Sequence, residues 1–156
     1  MSGEIWRVPR SAAHQHGRKR SPGYAGAPAP LLTQCDGQIV VTIDTQVSCL
    51  VIYPLPEWER IEEQIQGLPA LNPAIKRFQR LVLGYATDLE LDGNGRMLLP
   101  PPLRDYAQLD KKLVLVGQGN KLELWSEALW LAEREQALRD SGPETELPDE
   151  LMSLTL

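Results

Sequence analysis

An internal duplication limits the fold of this chain more than any other feature. The segment CLVIYPLPEW (49–58) matches KLELWSEALW (121–130) at an offset of 72 residues. The matched positions are Leu50 with Leu122, Ile52 with Leu124, Tyr53 with Trp125 and Trp58 with Trp130. A further apolar run precedes each copy, at 39–43 and 112–116. Each copy is too small to bury a sheet alone, so the two copies are expected to share one core.

Each copy predicts two strands joined by a hairpin, followed by an aromatic residue and a helix. The predicted elements in chain order are strands at 38–44 and 48–55, a helix from Pro56 to Gly67, a helix capped by Asn72 and closed by Gly84, strands within 87–100 and 113–125, and a helix capped by Ser126. We expect the Trp and Tyr residues to be core anchors rather than ligand-stacking groups.

The helix after Asn72 has an apolar and a basic side. Its apolar residues at helical spacing, predicted to share one face, are Ile75, Phe78, Leu81 and Val82. Lys76, Arg77 and Arg80 point elsewhere, and a solvated helix face is favoured over a binding patch for them.

A glycine-rich turn leads into a single arginine at residues 92–96. Asp92 is placed to bond loop amides, while Gly93 and Gly95 permit backbone angles that other residues resist. Arg96 would then be held at its base, which lowers the entropy lost when it meets a phosphate or a guanine edge. The alternative is a plain hairpin in which Arg96 pairs with a nearby carboxylate. The three prolines at 100–102 should end the strand, and Arg104 beyond them should be an exposed helix residue.

Composition argues against an enzyme and against a metal or cofactor site. The only cysteines, Cys35 and Cys49, are too few for a disulfide framework or a zinc quartet, and both are expected to be inert thiols. The two histidines lie in the unpatterned stretch HQHGRKR at 14–20. Asp88, Glu90 and Asp92 alternate along a strand, which favours a solvent-facing side over a carboxylate pair or metal site.

The net charge and the hydropathy of the chain limit the kinds of partner that it is expected to bind. A net charge of −5 excludes a nonspecific nucleic-acid coat, but a few arginines on one face still allow specific DNA binding. No apolar run approaches the roughly 18–20 residues of a membrane span, and no secretory signal is visible near the start. We therefore expect a cytoplasmic protein with neither membrane nor small-molecule partners.

Three phrases carry a family resemblance: LVIYPLPEWERIEEQI, RLVLGYATDLELDGNGRMLLPPPLRDYA and LVGQGNKLELWSEALW. Over about residues 31–135 the chain resembles the MraZ family of bacterial transcriptional regulators, which carry two SpoVT-AbrB-type DNA-binding units in tandem. The resemblance implies an α+β fold whose mainly β core consists of two repeated swapped-hairpin units with flanking helices. It also implies a nucleoid-associated ring oligomer that binds direct repeats in the promoter of the cell-division and cell-wall gene cluster. On this basis Arg96, Asn94 and Gly95 are the expected DNA-binding residues, and Asp92 and Gly93 form the loop.

The resemblance sets the expected domain boundaries. The expected segments are an aberrant stretch at 1–30, the remainder of the first unit with its helix at 31–66, a linking helix at 67–84, the second unit at 85–132, and the helix end with an acidic tail at 133–156. An oligomeric scaffold without DNA binding, or a non-functional frameshifted copy, are the alternative readings of the function.

Residues 1–30 depart from the family, whose members open with Phe-Arg-Gly and a loop like Asp-Ala-Lys-Gly-Arg. One choice of synonymous codons for GRKRSPGYAGA (17–27), read from the second base, encodes Asp-Ala-Lys-Gly-Arg-Leu-Ala-Met-Pro-Ala. The hypothesis is that this segment is an out-of-frame translation of the first unit's opening, with the frame restored near Pro30. A natural disordered basic arm is the alternative.

The nucleotide sequence across codons 1–35 tests this hypothesis. We expect a reading frame one base along to encode a loop similar to Asp-Ala-Lys-Gly-Arg. A gene in which that frame encodes no such loop contradicts the hypothesis and favours the natural arm.

Overall fold

The computed structural model describes the backbone of residues 4–7 and, with side chains, residues 36–69, 71–91 and 96–154. The strands are β1 (Glu4–Arg7), β2 (Gln38–Ile43), β3 (Leu50–Pro54), β4 (Thr87–Glu90), β5 (Arg96–Leu99), β6 (Leu113–Gly117) and β7 (Leu122–Ser126). The helices are α1 (Leu55–Gln66), α2 (Pro73–Tyr85), α3 (Pro101–Tyr106), α4 (Glu127–Asp140) and α5 (Asp149–Met152). The chain is therefore α+β, as its sequence predicts.

A five-stranded antiparallel sheet forms the centre of the molecule, with strand order β4-β2-β3-β7-β6. The first copy of the repeat supplies β2 and β3, and the second copy supplies the other three strands. The two copies interleave, because β4 from the second copy pairs with β2 from the first. At the middle of the sheet β3 pairs with β7, placing Leu50 opposite Leu124 and Ile52 opposite Leu122.

The two faces of this sheet bury separate sets of apolar side chains. One face packs against β5 and α3, and its buried core comprises Ile39, Val41, Ile43, Leu50, Ile52, Met97, Leu99, Leu103, Ala107, Leu115, Leu122 and Leu124. The other face is covered by helices. Val40 packs there with α1 and α2, while Val114 and Val116 pack with Trp125 and α4. A sheet buried on both faces explains why β2 reads as an almost continuous apolar run.

The internal duplication is confirmed by matching aromatic pairs. In the first copy the ring centroids of Tyr53 and Trp58 lie 5.8 Å apart, and in the second those of Trp125 and Trp130 lie 5.7 Å apart. Each pair joins the end of a strand to the helix that follows it, at a separation typical of favourable aromatic contacts. Trp58 and Trp125 are buried, so these aromatics are core anchors as the repeat predicts.

The helix ends agree with the local signals in the sequence. The Asn72 side chain accepts a hydrogen bond from the Ala74 backbone N–H at 2.9 Å, and Ser126 Oγ accepts one from the Leu129 N–H at 3.2 Å. β5 ends directly before Pro100, because a proline lacks the backbone N–H that a further hydrogen bond between strands would need. At the other end of α2, the Thr42 hydroxyl donates to the Val82 carbonyl at 2.6 Å, which ties the helix to β2.

α2 differs from the expectations at two points. Gly84 does not close the helix, which continues to Tyr85. The predicted apolar face is only partly packed, because Phe78 and Leu81 are exposed whereas Val82 is buried. Val82 is buried and Ile75 half-buried.

In the described part of the chain, no helix combines the length and the apolar character needed to cross a lipid bilayer.

Candidate nucleic-acid interface

The glycine-rich turn predicted to contact DNA lies between β4 and β5. Asp92, Gly93, Asn94 and Gly95 are outside the described residues, so their expected roles remain predictions. The structure describes the two ends of the turn, at Leu91 and Arg96. The contacts of these two residues show how the fold holds the two ends of the turn.

Arg96 is the first residue of β5 and is half-buried. Burial alternates along this strand, since Met97 and Leu99 are buried in the core whereas Leu98 is exposed. Arg96 and Leu98 therefore belong to the outward side of the strand, and the inward side chains anchor the backbone beneath them. This arrangement fixes the base of the arginine through the core residues of β5.

β5 pairs with β1 in a two-stranded antiparallel ribbon. The register places Arg7 and Arg96 at paired positions, at the end of the ribbon next to the glycine-rich turn. Two basic residues thus occupy neighbouring backbone positions there. Sequence patterns gave no reason to connect Arg7 with Arg96, because they are far apart along the chain.

A tight turn before β2 supports the other end. Asp36 and Gly37 have positive φ values of 52° and 77°. The Leu91 N–H donates a hydrogen bond to the Gly37 carbonyl at 2.8 Å. A Cβ atom at Gly37 would lie 2.7 Å from the Leu91 carbonyl oxygen, which is too close for an unchanged backbone. Gly37 therefore allows the close approach that holds residue 91 at the start of the turn.

Gly37 was missed by sequence reasoning. An Asp-Gly pair before an apolar strand is a visible turn signal, but such pairs are common. The contact with Leu91 arises only when β2 and β4 pair, and nothing local in the sequence indicates that pairing.

Other residues singled out in the sequence lie apart from this turn. Asp88 and Glu90 are exposed on β4, in keeping with the solvent-facing expectation. Arg104 lies in α3 and is half-buried, so the expectation of an exposed helix residue is wrong. Cys35 and the histidines are outside the described residues, while Cys49 is fully buried.

Cys49 lies beside two carboxylates near the β2–β3 hairpin. Ligand atoms of Asp44, Cys49 and Glu123 all lie within 4.8 Å of one another. Hydrogen bonds hold both carboxylates: Asp44 accepts from the backbone N–H of Gln46 at 2.8 Å, and Glu123 accepts from Trp125 Nε1 at 2.9 Å. These bonds help to position both carboxylates beside the thiol.

The surroundings of Cys49 favour its neutral thiol. Burial raises the pKa of Cys49, and the negative charges of Glu123 and Asp44 raise that pKa further. The thiol therefore stays protonated in the folded chain at neutral pH. A protonated, buried thiol is a poor nucleophile, so Cys49 is unsuited to covalent catalysis.

Comparisons with known proteins show what the chain is similar to. The family model described as "MraZ protein, putative antitoxin-like" matches residues 27–81 and again residues 82–146. The protein "Transcriptional regulator MraZ" of Halorhodospira halophila is 54% identical over 127 residues, covering 81% of this chain and 84% of the relative. The protein of the same name from Alkalilimnicola ehrlichii is 54% identical over 126 residues, and that from Pseudomonas aeruginosa is 53% identical over 126 residues. Each of these two alignments covers 81% of this chain and 83% of the relative.

The contact between Gly37 and Leu91 can be tested with a matched glycine. Gly37→Ala should destabilise the chain by about 2 kcal/mol or more, because the new Cβ meets backbone and a positive φ is strained for alanine. Gly119→Ala is the control, since Gly119 has a similar φ of 76° but no atom within 4 Å of the new Cβ. Its cost should be only about 1 kcal/mol. Equal losses in urea unfolding would contradict the proposed contact.

The raised pKa of Cys49 predicts a loss of stability at alkaline pH. Above the ordinary thiol pKa of 9.0 the unfolded chain releases this proton while the folded chain keeps it, so stability falls as pH rises. The raised pKa values of Tyr53 and Tyr106 add to this loss above their ordinary value of 10.0. Cys49→Ala should be less stable at pH 7 but lose less stability between pH 8 and 10.5, measured by urea unfolding. A parallel loss in both proteins would contradict the assignment.

Proposed function

This chain belongs to the MraZ family, and from that membership together with its fold we propose that it regulates transcription by binding double-stranded DNA. The printed names of the relatives support a role in transcription. The observation that carries the DNA-binding part is the fixed position of Arg96, at the start of a core-anchored strand and directly after a glycine-rich turn. Within this proposal, Arg96, Asn94 and Gly95 contact DNA, while Asp92 and Gly93 shape the turn.

The proposed contact is local rather than spread over the molecule. A chain with a net charge of −5 repels DNA at long range, so attraction must come from a small basic site. Arg96 provides such a charge, and its guanidinium fits a phosphate or the acceptor edge of guanine. Phosphate contacts would position the protein, and base contacts would select the sequence.

One turn of this kind makes few contacts, so we propose that several copies act together. A ring of subunits with the turns on one rim would bind repeated sites at a high effective concentration. The proposed sites are direct repeats in the promoter of the cell-division and cell-wall gene cluster, which the family resemblance implies. Such a regulator would work in the cytoplasm, at the nucleoid.

The second copy of the turn would belong to the first unit. At the offset of 72 residues, the counterparts of β4 and β5 fall at 15–18 and 24–27, which lie outside the described residues. The family match begins at residue 27, close to the point at which the reading frame is proposed to return. If the frame has slipped, only the turn at 92–95 remains in this chain, and DNA binding is weaker than in a chain with both turns.

An Arg96→Ala variant tests the proposed function. Losing one arginine contact to a base or phosphate should weaken binding to promoter repeats about 10-fold or more, with a smaller dependence on salt. Arg134→Ala is the control, because Arg134 is an exposed arginine on α4, outside the proposed site. Binding is measured by fluorescence anisotropy at two salt concentrations, and folding by circular dichroism.

Three possible results separate the rival functions. Weakened binding by Arg96→Ala with unchanged binding by Arg134→Ala supports a regulator that uses this turn. Equal binding by both variants and the parent chain contradicts the proposed role of Arg96. A folded parent chain that ignores promoter repeats at low salt favours the scaffold alternative.

A further inference from the structure

Helix α2 carries an apolar strip that the described part of the chain leaves exposed. Leu71, just before the helix, is 96% exposed, and Phe78 and Leu81 are 38% and 36% exposed. The helix lies on the sheet through Val82 and the half-buried Ile75, and at 100° per residue Phe78 and Leu81 follow these two residues round one flank of the helix. We call Leu71, Phe78 and Leu81 the α2 strip.

Positive charge lies beside this strip. Lys76, Arg77 and Arg80 are all exposed, and α2 contains no acidic residue. At 100° per residue, Arg77 lies next to Leu81 on the helix surface, with Arg80 and Lys76 further round. The α2 strip is therefore apolar with one basic border.

The C-terminal segment, residues 141–154, has the complementary character. It contains four charged residues, all of them acidic and exposed: Glu144, Glu146, Asp149 and Glu150. The segment has no basic residue. Its apolar side chains are also uncovered: Leu147, Leu151, Met152 and Leu154 are between 51% and 69% exposed. Leu147, Leu151 and Leu154 recur at intervals of four and three residues, the spacing of one helix face.

We propose that the C-terminal segment of one copy docks on the α2 strip of a second copy, its leucines on Leu71, Phe78 and Leu81 and its carboxylates on the basic border. Both surfaces remain exposed in the single chain, so contacts among the described residues leave them unused. Burying them against each other removes apolar area from water and pairs opposite charges.

The proposed contact has a consequence for assembly. It joins two different surfaces, so it is heterologous, and a heterologous contact generates a closed ring or an open filament rather than a two-fold dimer. The proposed docking therefore rests on the self-association in the proposed function, and it identifies the two surfaces that meet. The α2 charges would then serve assembly rather than DNA.

Reciprocal charge reversal tests this contact on the full chain. The α2 variant combines Lys76→Glu, Arg77→Glu and Arg80→Glu. The tail variant combines Glu144→Lys, Glu146→Lys, Asp149→Lys and Glu150→Lys. Each alone should weaken self-association about 10-fold or more, measured by sedimentation velocity over a range of concentrations, because like charges then meet. The chain carrying both sets should regain association close to that of the parent.

A control variant changes the same number of charges elsewhere. Lys111→Glu, Lys112→Glu and Arg134→Glu alter three exposed basic residues outside α2, and association should stay at the parental level. Failure of the doubly reversed chain to recover would overturn the proposed docking. An α2 variant that loses DNA affinity but keeps its mass would overturn it as well, and would assign the basic border to DNA.

Cross-linking distinguishes docking between copies from docking within one chain. Phe78→Cys and Leu151→Cys are placed on separate copies, both of which also carry Cys35→Ser so that this native thiol cannot react. The two copies are mixed and treated with a short bismaleimide. Docking between copies gives a covalent dimer on a denaturing gel, and the buried Cys49 thiol should not react. No cross-linked dimer would overturn the proposal. An assembled parent chain that withstands every charge reversal would overturn the docking while leaving self-association intact.

Discussion

The pairing of β3 with β7 is the interaction on which the rest of the structure depends. It joins the two copies of the repeat at the centre of one sheet, with Leu50 opposite Leu124 and Ile52 opposite Leu122. All four of these side chains are buried, and they fill the middle of the larger core. Without this pairing each copy would be a hairpin and a helix, which cannot bury enough apolar area to fold alone.

The same shared core sets the position of the proposed DNA-binding turn. β4 is held by β2 of the other copy, and β5 is held by Met97 and Leu99 in the core. Gly37, from the first copy, reaches the end of β4 and accepts the hydrogen bond of Leu91. The turn therefore leaves a rigid base formed by both copies. A rigid base suits a small recognition site, because less conformational freedom is lost on binding.

The two copies of the repeat differ in the segments that follow their helices. α1 and α4 both pack on the sheet beside an aromatic pair, but they are followed by different segments. α1 leads to α2, whose outer side is basic and apolar, whereas α4 leads to an acidic segment with exposed leucines. Apolar side chains in contact with water are a feature of interaction surfaces. The proposed assembly thus uses the regions in which the two copies differ.

The sequence by itself determined the features that depend on neighbouring residues. The repeat, the strands of the two copies, the caps at Asn72 and Ser126, and the end of β5 at the prolines could all be predicted, because local geometry and backbone hydrogen bonding control them. The likeness of residues 31–135 to one family added the two tandem units and the basis for the proposed function. Only the tertiary structure decided that β4 pairs with β2, that Gly37 meets Leu91, and that Phe78 and Leu81 are left exposed. These features depend on contacts between residues far apart in the chain. A local sequence pattern does not indicate which strand pairs with which, or which side of a helix is covered by other elements.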